Sequence, residues 1–174
     1  MKQILIVVLL ILGYLSYSQE SYFVEGKDYC GYVFSKEDSL GGFPPEIIVG
    51  NVPIGSRRYT LTEKNIIRTE AILKKSINTE YVKKYVNSWE SAWNTRFLLD
   101  KSTLKKYYRQ YIGYLTPNNE EIVYICLIAK GFVSNIKKLS DGLIEVSDGG
   151  YSYWTITINL KTRKVFDMVV NGES

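Results

Sequence analysis

The sequence predicts an α+β domain in which one main amphipathic helix, followed by a second helical pattern, packs on a four-stranded antiparallel meander. Three observations carry that reading. Apolar residues recur at a helical period after Thr62, they alternate with a period of two in four stretches after residue 107, and turn residues divide those stretches into two hairpins. A hydrophobic content of 45%, with 14% aromatic residues, separates the chain from the disordered class, which is poor in both.

The chain begins with Lys2 ahead of an unbroken apolar run from Ile4 to Leu12, and Ser16 and Ser18 occupy the small-residue positions of a cut before Gln19. Residues 1–18 therefore read as an export signal. The run is short of the roughly 20 apolar residues a spanning helix needs, so no membrane span is expected. Export places the mature protein in the periplasm, on the cell surface or in the medium. Residues 19–59 form a loop-rich N-terminal arm, centred on Gly41-Gly42-Phe43-Pro44-Pro45, with one short strand expected at Ile47, Ile48 and Val49. Residues 60–174 form the α+β domain.

Two helix starts compete. Thr60 with Glu63 makes a capping box, while Thr62 as cap lets Leu61 staple to Ile66. Beyond either start, Ile66, Leu73 and Ile77 share one face, flanked by Ile67 and Ala71. Glu70 projects into the same stripe, where a buried carboxylate needs a partner or a raised pKa; an acid site is one reading, and a carboxylate at the edge of the stripe or paired for structure is the favoured one. Val82, Tyr85, Val86, Trp89 and Trp93 carry the second helical pattern.

The first hairpin joins residues 107–115 to 121–129. With Asn118 and Asn119 as a two-residue turn, Tyr114 faces Val123, Ile112 faces Ile125 and Gln110 faces Leu127, and that largely apolar face is assigned to the helix side. The opposite face then pairs Gly113 with Tyr124, Tyr111 with Cys126 and Arg109 with Ile128. In the second hairpin a three-residue turn over Lys161, Thr162 and Arg163 sets Ile158 against Phe166, Ile156 against Met168 and Trp154 against Val170. A two-residue turn would instead bury Asp167 beside Ile156. The link over residues 130–147 is irregular, with an edge strand expected at 143–146.

The outer face in this register collects Tyr107, Arg109, Tyr111 and Tyr124, joined by Tyr151 and Tyr153 from the third strand. These six are the candidate binding residues, since Tyr and Arg are enriched at binding hot spots. The simpler alternative is that the arm folds over the face. Arg109 is also the natural cation for Glu70, but the register puts it on the wrong side of the sheet, so the ion pair and the register exclude one another.

The remaining chemistry is sparse. Histidine is absent, which removes Ser-His and Cys-His nucleophiles and His-ligated zinc. Glu120 and Glu121 are adjacent on a strand and point to opposite faces. The Ser-Asp-Gly triplets at 140–142 and 147–149 lack the alternating acids of a calcium loop and read as turns. No catalytic residue, metal or cofactor is expected. A formal charge of +4, spread among acids along the chain, gives no stripe for nucleic acid. Cys30 and Cys126 leave two readings, one disulfide or two buried thiols.

Tyr108-Arg109-Gln110-Tyr111-Ile112-Gly113-Tyr114, Ile122-Val123-Tyr124-Ile125, Asp148-Gly149-Gly150 and Val170-Asn171-Gly172 together resemble a family of small exported bacterial proteins. Such proteins are similar to cystatin-like and peptidase-propeptide-like (PepSY-like) domains. The resemblance covers residues 60–172. It implies a helix laid on an antiparallel sheet, brings no catalytic residues, and suggests modulation of a peptidase. The expected function is a non-catalytic exported domain that binds a protein or peptide through the tyrosine face or a sheet edge. A carbohydrate or cell-envelope ligand is the alternative, and an enzyme of unrecognised type the third.

Overall fold

The stretch from Glu121 to Ala129 is apolar in both phases, with Ile122, Tyr124, Cys126 and Ile128 in one and Val123, Ile125 and Leu127 in the other, so a sheet built on it must be covered on both faces. The computed structural model, which describes residues 21–42, 46–94, 96–97 and 99–172, shows both coverings. Its elements are β1 (Ser21–Gly26), β2 (Tyr29–Phe34), β3 (Arg57–Tyr59), α1 (Glu63–Ser76), α2 (Glu80–Trp93), β4 (Tyr107–Leu115), β5 (Glu121–Ala129), β6 (Tyr153–Asn159) and β7 (Lys164–Val170). The expected leader and its cut before Gln19 lie outside the described residues. No helix among the described residues is long and apolar enough to cross a membrane.

The expected four-stranded, cystatin-like meander under one main helix is corrected to a seven-stranded mixed sheet with two helices. The strands run in the order β1, β2, β4, β5, β6, β7, and β3 pairs with β4 beyond the end of β2. The arm supplies the three additional strands. β2, whose hairpin partner β1 lies at the sheet edge, runs parallel to β4, with Gly31 opposite Arg109 and Phe34 opposite Ile112, and β3 runs antiparallel to β4 from Gly113 to Leu115. Close approach at both places depends on glycine. A Cβ on Gly31 would stand 1.9 Å from Arg109 O, and one on Gly113 would stand 2.4 Å from Tyr59 O. Ile47, Ile48 and Val49 form no strand; they pack, half-buried, on the outer face.

α1 starts at Thr62. Its hydroxyl accepts from Asn65 N at 3.3 Å and Asn65 Oδ1 accepts from Thr62 N at 2.9 Å, closing a capping box with Asn65 in the place usually held by Glu or Gln. Ile66, Ile72 and Leu73 face inward while Ile67 points to solvent. α2 buries Val82, Val86 and Trp89 and ends at Asn94 in the left-handed conformation. Two α2 hydroxyls meet the edge strand: Tyr85 Oη accepts from Val170 N at 3.4 Å and Tyr81 Oη donates to Phe166 O at 3.3 Å. An edge so occupied is a poorer template for a foreign strand.

The first hairpin is one residue away from its expected register. Asn119 N donates to Thr116 O at 2.9 Å, Thr116 N donates to Glu120 O at 3.0 Å, and Asn119 has φ 55°. The loop is thus Pro117-Asn118-Asn119, three residues long, in which Pro117 takes a turn position that suits its fixed φ and Asn119 takes the left-handed one. Tyr114 consequently faces Ile122, Ile112 faces Tyr124 and Gln110 faces Cys126, while Tyr111 faces Ile125 and Gly113 faces Val123. One added turn residue exchanges the faces of β4, while β5 keeps its expected helix-side residues. In the second hairpin Ile156 opposes Met168 and Trp154 opposes Val170, as expected, but a bulge sets Ile158 against Val165 and leaves Phe166 38% exposed.

One core therefore lies between sheet and helices, built on Tyr111, Ile125, Trp154, Ile156 and Leu73. A second lies on the outer face, where Ile112, Tyr124 and Ile128 are covered by the arm and by the 130–147 link. Two polar residues of β4 fasten these coverings. Gln110 Nε2 donates to Leu139 O at 2.9 Å and to Gly142 O at 2.7 Å, and its Oε1 accepts from Ile144 N at 3.0 Å. Tyr114 Oη accepts from Val49 N at 3.0 Å. The expected strand over 143–146 does not form: Leu143 N donates to Leu40 O of the arm at 3.2 Å and Ile144 N to the Gln110 side chain, in place of a strand ladder.

Candidate functional site

The six candidate binding residues do not share a surface. Tyr107, Arg109 and Tyr111 point into the helix-side core, Tyr124 and Tyr153 lie on the outer face, and Tyr151 sits in a short 3-10 turn before β6. Tyr151 alone is exposed, at 46%, with its ring stacked on Phe97 at 6.2 Å.

On the helix side the exchanged face of β4 brings Arg109 to Glu70. Arg109 Nε donates to Glu70 Oε1 at 3.2 Å, Tyr111 Oη donates to the same oxygen at 2.8 Å, and an Arg109 Nη donates to Tyr107 O at 2.5 Å. Burial first, and then the Glu70 charge, raise the Tyr111 phenol well above its ordinary value, so it stays a donor. Glu70 Oε2 and Arg109 Nη2 have no hydrogen-bond partner among the described residues. The cluster is enclosed and offers no opening to a substrate. Pairing for structure is its chemistry.

On the outer face a cleft of about 380 Å³ opens beside β6 and β7. Buried Tyr124, Tyr153 and Thr155 line it, together with Val146 and Val169, while Asn51, Glu145, Ser147, Asp167 and Asn171 supply polar groups, and among the described residues no Lys or Arg takes part. Asn51 Nδ2 donates to Asp167 Oδ1 at 3.0 Å, tying the arm to β7. Gly50, at φ 71°, lets the arm lie directly on the Tyr124 ring, where a Cβ would come within 2.6 Å. The expected cross-strand pair of Gly113 with Tyr124 does not form, since Gly113 faces Val123; the glycine that meets the Tyr124 ring is Gly50 of the arm. Asn171 Nδ2 donates to Val146 O and holds the far side of the cleft.

Beneath the cleft lies Cys126. Its thiol is buried, accepts from Tyr153 Oη at 3.5 Å, and is pushed up to about 12 by burial. Burial also raises the Tyr124 and Tyr153 phenols. A nucleophile requires the opposite displacement. Cys30 and Cys126 are both free thiols; Cys30 sits on β2 opposite Glu25 of β1.

The sequence reading found Tyr124 and Tyr153 but not Asn51, Glu145, Asp167 or Asn171. A signal existed in the Gly50-Asn51 turn pair and in Asp167, a lone acid on an otherwise alternating strand. What brings them together is the path of the arm across β5 and β6, which no local pattern encodes. Comparison with protein-family models, with curated proteins and with solved structures returns no match.

Proposed function

We propose that this chain is a non-catalytic binding domain that takes a hydroxyl-rich, neutral or cationic ligand of the carbohydrate class in the cleft beside β6 and β7. The carrying observation is the lining itself: tyrosines beneath carboxylate and amide groups, with no cation. Carboxylates and amides accept from and donate to hydroxyls, and Glu145 with Asp167 would repel an anion. The raised thiol and phenols support binding over bond making. The leader read in residues 1–18 fits a ligand of the cell envelope or medium.

The test is an NMR titration with a panel of neutral, amino and acidic oligosaccharides. Shifts should appear at Asn51, Thr155, Asp167 and Asn171 with neutral or amino sugars, and Asp167→Ala should weaken them by about tenfold, the loss of about 1.4 kcal/mol that a hydrogen bond to a charged group supplies. Silence across the panel, or shifts elsewhere, overturns the cleft.

Recognition of a protein or peptide, with peptidase modulation as its special case, is the second reading. Ile54 favours it, being 97% exposed in the turn before β3, next to a groove of about 630 Å³ lined by Lys36, Glu37, Glu46, Ser56, Arg57 and Arg58. Ile54→Ser should abolish capture of a protein partner from the envelope or medium; failure of the unaltered protein to capture any partner removes this reading.

A further inference from the structure

Lysines that are dispersed along the chain meet at one end of the sheet. The β1–β2 turn brings Lys27 there, the 3-10 turn entering β4 brings Lys105 and Lys106, and the turn leaving β5 brings Lys130. The placements are fixed by contact: Lys130 N donates to Lys106 O at 2.8 Å, and Lys105 Nζ stands 2.9 Å from Asp28 in the β1–β2 turn. A second 3-10 turn, Ile136–Ser140, packs on β1 and β2 and adds exposed Lys137 and Lys138.

Among the described acids of this end, Asp28 is the one paired with lysines. Asp28 is taken by Lys74 at 2.7 Å as well as by Lys105, and Asp100 Oδ1 accepts from Ser102 N and Thr103 N at 2.6 and 2.8 Å. Asp141 bonds to Ser140 and Glu25 stands exposed on β1, so Asp100, Asp141 and Glu25 keep their charge, against Lys27, Lys106, Lys130, Lys137 and Lys138. An excess of positive charge remains.

At the tip of the same end is a half-exposed aromatic ring. Phe132 closes a tight turn, its N donating to Ala129 O at 2.8 Å, and is 50% exposed between Gly131 and Val133. Lys130 beside it lies over the Tyr108 ring at 5.4 Å. Lysines around a protruding aromatic side chain are the arrangement that holds a protein at a lipid headgroup layer, the cations meeting phosphates and the ring entering the interface.

We infer that this end of the sheet docks on a membrane surface rich in anionic phospholipid. The charge explains an anionic partner, and Phe132 is what selects lipid over a soluble polyanion, which has no apolar layer to receive a ring. This inference is independent of the ligand proposed for the cleft.

The test is flotation of the protein with vesicles of phosphatidylcholine alone or with 30% phosphatidylglycerol, at about 0.1 and 0.5 M salt, where screening shortens the reach of charge to a few Å. Binding should require the anionic lipid and fall with salt. The paired change Lys106→Glu with Lys130→Glu should lower it at least tenfold, Phe132→Ala about fivefold, and Lys83→Glu with Lys84→Glu on α2, an equal change in net charge, less than twofold. If the reversed pair does not fold, judged by circular dichroism, Lys106→Gln with Lys130→Gln replaces it with a smaller expected loss of about fivefold. Absence of binding to either vesicle, equal binding to both, or an equal loss from the α2 pair overturns the docking surface. Retention on heparin together with indifference of vesicle binding to Phe132→Ala assigns the patch to a soluble polyanion instead.

Discussion

Arg109 and Glu70, 39 residues apart, meet as an ion pair with 0% and 3% of their side chains exposed. Burying both charges is costly, and the pair is incompletely satisfied because Glu70 Oε2 and Arg109 Nη2 have no hydrogen-bond partner among the described residues. Its presence fixes β4: a slip of one residue would carry Arg109 to the outer face and strand Glu70 in an apolar layer. Register and pairing therefore enforce each other.

Arg109→Met should destabilise the fold by about 3–5 kcal/mol, since a lone buried carboxylate is left behind. Replacing the set with Glu70→Leu, Arg109→Met and Tyr111→Phe should cost about 1 kcal/mol or less, and can stabilise. Urea unfolding of the variants measures both. A triple variant no better than the single one would mean that the pair contributes more than it costs.

Asp28 gives the fold an acid limit. Hydrogen bonds from Lys74 and then Lys105 lower its carboxyl from 3.8 to about 2. The folded value is below the unfolded one, so the contribution is complete above about 4 and is lost as pH falls through 2. Thermal midpoints collected from pH 5 to pH 2 should fall less steeply for Asp28→Asn than for the parent. Added salt should shrink the difference, because Lys105 is exposed.

Gly31→Ala should detach the N-terminal hairpin. The added carbon would lie 1.9 Å from backbone Arg109 O, an overlap that no rotamer relieves. Hydrogen exchange should quicken throughout β1 and β2 while β5 and β6 keep their protection. Uniform loss of protection would show that the hairpin and the central strands open as one unit.

Cys126 should resist thiol reagents in the folded protein. With its thiol buried and at about 12, almost none is ionised at pH 8. In a Cys30→Ser background, dithiobis-nitrobenzoate should label no thiol until urea unfolds the chain, as read by mass spectrometry. Prompt labelling would place Cys126 at a surface.

Both helices and all four strands after residue 107 were legible because each carries a period of its own: Ile66 and Leu73 on α1, Trp154, Ile156 and Ile158 on β6. The Thr62 cap was legible as one of two starts. The strands β1 to β3 were not, since Ser21–Gly26 and Tyr29–Phe34 mix polar, aromatic and glycine residues and are recognised as strands by what they lie on. The β4 face hinged on whether Pro117 belonged to the turn. Proline at that place favours a loop that includes it, and the buried Glu70 gave an independent reason to turn Arg109 inward. The apolar doubling of β5 likewise announced two coverings, but which segments provide them depends on long-range contacts of Gln110 and Tyr114.

The parallel alignment of β2 with β4 governs the order of assembly. A hairpin made near the start of the chain has no template until both helices and β4 have emerged, so its docking is among the most non-local events in the fold and belongs to the slow end of small-domain kinetics. Until then β1 and β2 are a solvated ribbon, too small to be stable alone. During synthesis β1 and β2 must therefore wait for β4, a latency set by topology.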